Sequence, residues 1–70
     1  MSPVKQMRTE RGIPQAVLAK VIGSSLGNYS KKENGQTRFS LDEAKALADY
    51  FGVAIETLFY QENDSKLESI

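Results

Sequence analysis

The chain has 70 residues, with 40% hydrophobic and 26% charged side chains and a net charge of zero, a balance typical of one small globular domain. It contains neither Cys nor His, which excludes disulfides, zinc fingers, haem proteins with Cys or His ligands, and Cys or Ser–His hydrolases. The longest apolar run, residues 16–19, is far shorter than the roughly 20 residues of a membrane span. We therefore expect a cytoplasmic protein without a membrane segment.

Charge is distributed unevenly along the chain although the total is zero. Residues 1–41 carry seven basic and two acidic side chains, and residues 42–70 carry two basic and seven acidic ones, so the two parts have net charges of +5 and −5. Such a split indicates a basic surface for a polyanion and an acidic opposite end. Chance clustering on a solvated surface is the alternative.

Apolar spacing and the positions of glycine predict five short helices. Four of the five glycines directly follow a segment with helical character, where the end of a helix favours Gly, whereas Gly27 lies inside such a segment. In chain order, the predicted helices span about Pro3–Arg11, about Pro14–Ile22, a segment capped by Ser24 or Ser25 that runs to about Asn34, a segment that opens at Ser40, and about Ile55–Phe59.

The fourth helix has the clearest pattern. Ser40 and Glu43 have the spacing of a capping box, and apolar residues recur from Ala44 at i, i+3, i+4 and i+7. No segment alternates apolar and polar residues for long enough to predict a strand. Five short helices with short connections predict an all-α domain over residues 1–60. Residues 61–70 form a polar acidic tail that we expect either to fray or to assist dimerisation.

The most informative segment runs from Gln15 to Asn34. A helix of about eight residues ends at Gly23, a short turn follows, and a second short helix ends at Glu33-Asn34-Gly35. This spacing is that of a helix-turn-helix, in which the first helix crosses the phosphate backbone and the second can enter the major groove.

The chain resembles the Cro and phage-repressor type of helix-turn-helix domain, a lambda repressor-like fold. The resemblance covers about residues 4–59, through "VKQMRTERGIPQAVLAKVIGSSLGNYSKKENG" and "SLDEAKALADYFGVAIETLF". It implies five helices, of which helices 2 and 3 form the helix-turn-helix. The matching positions are Gly12, Gln15, Ala19, Gly23, Ser25, Tyr29, Glu33-Asn34-Gly35, Leu47-Ala48 and Phe51-Gly52-Val53.

The resemblance implies structural roles for four residues. Ala19 is small where helices 2 and 3 meet, and the ring of Tyr29 can lie between them with its hydroxyl near the surface. In this family, a helix-1 arginine commonly bridges to the glutamate at the end of helix 3, and these positions hold Arg8 and Glu33. If the bridge is buried, breaking it costs about 3–5 kcal/mol; a loose surface pair contributes roughly 0–1 kcal/mol.

The resemblance also implies contacts to DNA phosphates. Gln15 lies at the N-terminus of helix 2, where free N–H groups favour an anion. Asn34, Thr37 and Arg38 lie in the loop after helix 3, where the family has a second phosphate contact. Asn34 can serve as a helix cap as well, and the two roles are compatible.

Base recognition is expected from the exposed positions of helix 3, which are Leu26, Gly27, Asn28 and Lys31. Ser25, directly before this helix, is a further candidate DNA-binding residue. Leu26 and Gly27 depart from relatives, which often carry Gln, Arg or Ser there. Leu26 can contact a thymine methyl and Gly27 allows a close approach to DNA, whereas Lys31 can reach guanine or a phosphate. An exposed Leu beside a Gly can equally belong to a protein interface.

One such helix reads only a few base pairs, so a homodimer that places two helices about 34 Å apart is expected. By resemblance, helix 5 and nearby residues form the dimer contact, although Leu58 and Phe59 can also complete the core of the monomer. The candidate dimer residues are Val53, Ile55, Leu58, Phe59 and Tyr60.

We therefore predict a sequence-specific transcriptional regulator that binds double-stranded DNA, a homodimeric repressor or autoregulating controller on a palindromic operator. The alternative is a protein-binding module, such as an antitoxin that masks a toxin partner. No enzymatic activity, cofactor, metal or small-molecule ligand is expected, because the chain has no Gly-rich phosphate loop and its carboxylates lie on solvated helices.

Overall fold

A computed structural model describes residues 3–59, and in that range the chain is all-α, with five helices and no strand. This confirms the predicted fold class. None of these helices is long and apolar enough to cross a membrane. The helices are α1 (Pro3–Glu10), α2 (Gln15–Val21), α3 (Leu26–Glu33), α4 (Leu41–Phe51) and α5 (Ile55–Phe59). Tyr60 and the tail predicted over residues 61–70 lie outside the described residues.

The helices begin and end within one or two residues of their predicted limits, for identifiable reasons. Pro14 has the extended backbone of an N-cap, so α2 begins at Gln15. The capping box of α4 is complete: Ser40 Oγ accepts from the Glu43 amide at 3.1 Å, and a Glu43 carboxylate oxygen accepts from the Ser40 amide at 2.9 Å. At the other end of α4, Gly52 takes the left-handed conformation at φ 72°, which only Gly adopts without strain.

A single hydrophobic core joins all five helices. Helix α4 packs against α5 and α2, while α2 packs against α3 and α1 packs against α5. The buried cluster consists of Val4, Leu18, Ala19, Tyr29, Leu47, Ala48, Phe51 and Leu58.

Two members of the core bear directly on the sequence-based expectations. Ala19 is only 3% exposed, so its small side chain is part of the contact between α2 and its neighbours. Leu58 has no exposed surface, because α5 packs against both α1 and α4. Leu58 therefore completes the core of the monomer, which is one of the two roles that the sequence allows for it.

Candidate nucleic-acid interface

A short, internally bonded turn connects α2 to α3. The Ser24 amide donates to the Ala19 carbonyl at 2.8 Å, which closes the end of α2. Ser25 is the N-cap of α3, where its hydroxyl oxygen accepts from the Asn28 amide at 3.2 Å. Because the first bond satisfies a carbonyl that the end of α2 leaves free and the second satisfies an amide that the start of α3 leaves free, the turn is fixed by the chain itself.

Helix α3 has one buried side and one exposed side. Tyr29 and Glu33, four residues apart, are almost completely buried. The opposite side is open to solvent over a continuous helix, as the 3.6-residue period requires. The exposed residues of α3 include Leu26, Gly27, Asn28 and Lys31, the four positions that the sequence places at the base-reading surface.

The buried carboxylate of Glu33 ties α3 to α1. Arg8 donates to it through Nε at 2.7 Å and through Nη2 at 3.0 Å. Its third nitrogen, Nη1, donates to the Ile13 carbonyl at 2.9 Å. Only 12% of the Arg8 side chain and none of the Glu33 side chain is exposed, so this is a buried, two-pronged ion pair.

Two further donors complete the hydrogen bonding of Glu33. Gln15 Nε2 donates at 2.8 Å from the start of α2, and the Tyr29 hydroxyl donates at 2.8 Å from within α3. One side chain thus holds the first three helices together. Within residues 3–59, no buried side-chain nitrogen or oxygen lacks a hydrogen-bond partner, so the cluster meets the condition under which a buried charge is tolerated.

The environment shifts the pKa values of this cluster in opposite directions. Burial alone would raise the pKa of Glu33, but the hydrogen bonds from Arg8, Gln15 and Tyr29 outweigh it and hold that pKa below its ordinary value. The pKa of Tyr29 is raised, first by burial and then by its bond to the Glu33 carboxylate. Bonding to Glu33 also raises the pKa of Arg8. The cluster therefore keeps a charged pair and a neutral phenol at neutral pH.

The candidate phosphate contacts lie at both ends of the helix-turn-helix. Gln15 is half-buried at the start of α2, and its bond to Glu33 fixes the amide there. Asn34 is the C-cap of α3. Thr37 and Arg38 are exposed in the loop that follows.

Sequence reasoning did not find the second ion pair, which joins the end of α3 to α4. Lys32 Nζ lies 2.7 and 2.8 Å from the two carboxylate oxygens of Glu43, and both side chains are about four-fifths buried. The bond to Lys32 lowers the pKa of Glu43. The Lys32 ammonium is therefore bonded within the protein. The capping-box role of Glu43 is the one sequence signal at this pair.

The family comparison agrees with this geometry. A helix-turn-helix family model matches residues 4–58, which is most of the chain. The chain belongs to the helix-turn-helix family of the Cro and phage-repressor type. No curated protein and no solved structure matches it significantly.

Membership of the helix-turn-helix family gives the broad function. The family consists of DNA-binding transcriptional regulators that are generally not enzymes, so the expected partner is double-stranded DNA. Among the described residues, no group of acidic side chains could hold a metal ion.

The surface expected to join two copies of this helix-turn-helix domain is partly covered. Val53, Ile55 and Phe59 are half-buried against the core and keep some exposed surface. The Phe59 ring also meets the Phe39 ring edge-on, with centroids 5.5 Å apart. Among the described candidates for the dimer surface, these three residues keep exposed area, whereas Leu58 has none.

Proposed function

We propose that this helix-turn-helix protein is a sequence-specific regulator of transcription that acts as a homodimeric repressor or autoregulating controller on a palindromic operator. The observation that supports it most is the division of α3 into a buried side, Tyr29 and Glu33, and an open side. A regular helix that packs against the domain on one side can enter the major groove with its other side, because the groove is wide enough to admit it.

Polar and basic groups flank this open side. Gln15 lies at the start of α2, where it bonds to Glu33 at the end of α3, and Thr37 and Arg38 lie in the loop that follows α3. In the proposed complex, these side chains contact phosphates and set the register of α3 on the duplex, whereas α3 itself contacts the bases.

Repression would follow from occupancy of a promoter. Two copies joined through Val53, Ile55 and Phe59 would each present one α3, and a palindromic site would match their twofold symmetry. The acidic second part of the chain would then lie away from the phosphates, where it does not oppose binding.

The decisive experiment is selection of bound sequences from a random DNA pool, followed by titration of the enriched duplex between 50 and 200 mM salt. We expect a palindrome whose half-sites are about 10 base pairs apart. The logarithm of the binding constant should fall with the logarithm of salt concentration, with a slope of about −0.9 per phosphate contact.

A protein-binding module of the antitoxin kind is the second candidate, because Leu26 leaves 52% of its surface exposed and apolar surface of this kind can mark an interface. That function predicts no enriched sequence, or binding that salt does not weaken. Either result would contradict the regulator.

A further inference from the structure

The first turn of α3 presents two exposed apolar residues, Leu26 and Gly27. Leu26 is 52% exposed and is not part of the buried cluster. Gly27 is exposed as well and lies one helical turn before Lys31, on the outermost line of the helix. The Leu26 side chain has no hydrogen-bonding group, and Gly27 has no side chain.

The fold itself gives no reason for glycine at position 27. Among the five glycines, the other four have positive φ, whereas Gly27 lies within the regular helix. A Cβ built on Gly27 would meet nothing within 4 Å. Since glycine is a much poorer helix former than alanine, this position weakens α3 without serving the packing of the free protein.

The groups around this pair are those expected beside DNA bases. Within residues 3–59, the side chains of Asn28 and Lys31 make no hydrogen bond to the protein, so both are available to a ligand. Lys31 on α3 and Arg38 in the loop after α3 are both exposed and positively charged. This charge favours a polyanion over a neutral protein surface as the occupant.

In the major groove, thymine is the base that presents an apolar group, its C5-methyl, next to hydrogen-bond acceptors. We propose that Leu26 recognises thymine by contact with this methyl group, and that Gly27 is the point where the α3 backbone comes closest to the duplex. This proposal rests on the proposed function and specifies which base the apolar turn reads.

The test uses the duplex obtained by selection, with each thymine replaced in turn by deoxyuridine, which lacks only the methyl group. Binding is measured by fluorescence anisotropy. At one position in each half-site, we expect the replacement to weaken binding of the wild-type protein about fourfold, the effect of losing one buried methyl-sized group. The same replacement should have no effect on Leu26→Ala, because the contact is already lost.

Leu41→Ala is the matched control, because Leu41 is a still more exposed leucine at the start of α4. Binding by the Leu41→Ala variant should weaken about fourfold on replacement of thymine by deoxyuridine, as in the wild type. Full sensitivity in Leu26→Ala, or none at any thymine in the wild type, overturns the thymine contact.

Gly27→Ala tests the close approach, because stability and binding should change in opposite directions. The alanine should raise the thermal midpoint and weaken DNA binding at least tenfold, since its methyl group occupies space needed by the duplex. Wild-type affinity in this variant overturns the role of Gly27. If the wild type binds no duplex at all, the proposed function fails together with this inference; salt-dependent binding without a methyl effect rejects the inference alone.

Discussion

Arg8 holds the carboxylate of Glu33 with two nitrogen atoms, at 2.7 and 3.0 Å, across 25 positions of sequence. The pair connects the first helix to the end of the third, and almost none of it is exposed. The orientation of the exposed surface of α3 therefore depends on a contact made on its opposite side.

Removing Arg8 should destabilise the protein strongly. Arg8→Ala strands the buried charge of Glu33, and we expect a loss of about 3–5 kcal/mol in the free energy of unfolding, measured by urea denaturation. This is a large part of the roughly 3–10 kcal/mol expected for a domain of this size, so an osmolyte that favours the folded state belongs in the buffer.

Lys45→Ala is the control for Arg8→Ala, because Lys45 is an exposed cation on α4. It should change stability by less than about 0.5 kcal/mol. Arg8→Lys keeps the charge without the fork of nitrogen atoms and should fall between the two. Equal stabilities for Arg8→Ala and Lys45→Ala would show that the buried pair does not hold the fold together.

Acid should unfold the protein partly through Glu33. Its pKa in the folded state lies below the ordinary value of about 4.3 that it regains on unfolding. The unfolded chain therefore binds more protons, and the stabilisation is complete above about pH 4.3 and is lost as pH falls through the folded pKa.

Glu33→Gln tests this assignment by denaturation at a series of pH values. The variant should be less stable at pH 7, and its stability should fall less steeply between about pH 5 and pH 3. Some acid sensitivity should persist, because the bond from Lys32 also lowers the pKa of Glu43. An unchanged slope in Glu33→Gln would assign the acid sensitivity to other groups.

Ala19 should tolerate no larger side chain. Ala19→Leu forces extra atoms into the packed contact of α2 and should cost about 1–3 kcal/mol, while altering the position of α3 and so weakening DNA binding. Ala16→Leu makes the same change at an exposed position of the same helix and should leave stability nearly unchanged. Urea denaturation of both variants checks this, and equal effects would argue against close packing at Ala19.

The start of α4 should depend on both its cap and its ion pair. Ser40→Ala removes the acceptor for the Glu43 amide and should cost about 1 kcal/mol. Glu43→Gln can preserve the capping box while it removes the charge that faces Lys32, and because this pair is about four-fifths buried the loss should be about 1–3 kcal/mol. Thermal denaturation in low and high salt separates the two, since only the ion pair should weaken with salt.

Lys31 should contribute to DNA binding without supporting the fold. Lys31→Ala should weaken binding to the selected duplex by about 1–3 kcal/mol if Lys31 contacts a base, and uniformly across sequences if it contacts a phosphate. Stability should remain within about 0.5 kcal/mol of wild type. Lys45→Ala again serves as the control, in titrations against selected and scrambled duplexes. If Lys31→Ala binds the selected and the scrambled duplex as tightly as the wild type does, Lys31 is not part of the interface.

The helices and the exposed side of α3 could be predicted because local rules determine them. The capping box fixes the start of α4, and the 3.6-residue period fixes which residues of α3 share a side with Tyr29. These rules apply to residues no more than about one turn apart.

Other features depend on how the helices pack and could not be predicted in this way. Lys32 and Glu43 are eleven positions apart, and only the path of the loop between α3 and α4 brings them together. The bond from Gln15 to Glu33 likewise requires α2 and α3 to meet. Leu58 shares its apolar pattern with Ile55, but contacts with two other helices bury Leu58 completely and leave Ile55 partly exposed.

The fourfold-bonded carboxylate of Glu33 also has a consequence for the energetics of recognition. Because the first three helices converge on one side chain, α3 is ordered before any ligand arrives. The conformational entropy of α3 is already lost when the protein folds, so ordering this helix does not reduce the affinity for a duplex. The helix thus behaves as a rigid template, and adjustment on contact falls to the side chains at its surface and to the nucleic acid.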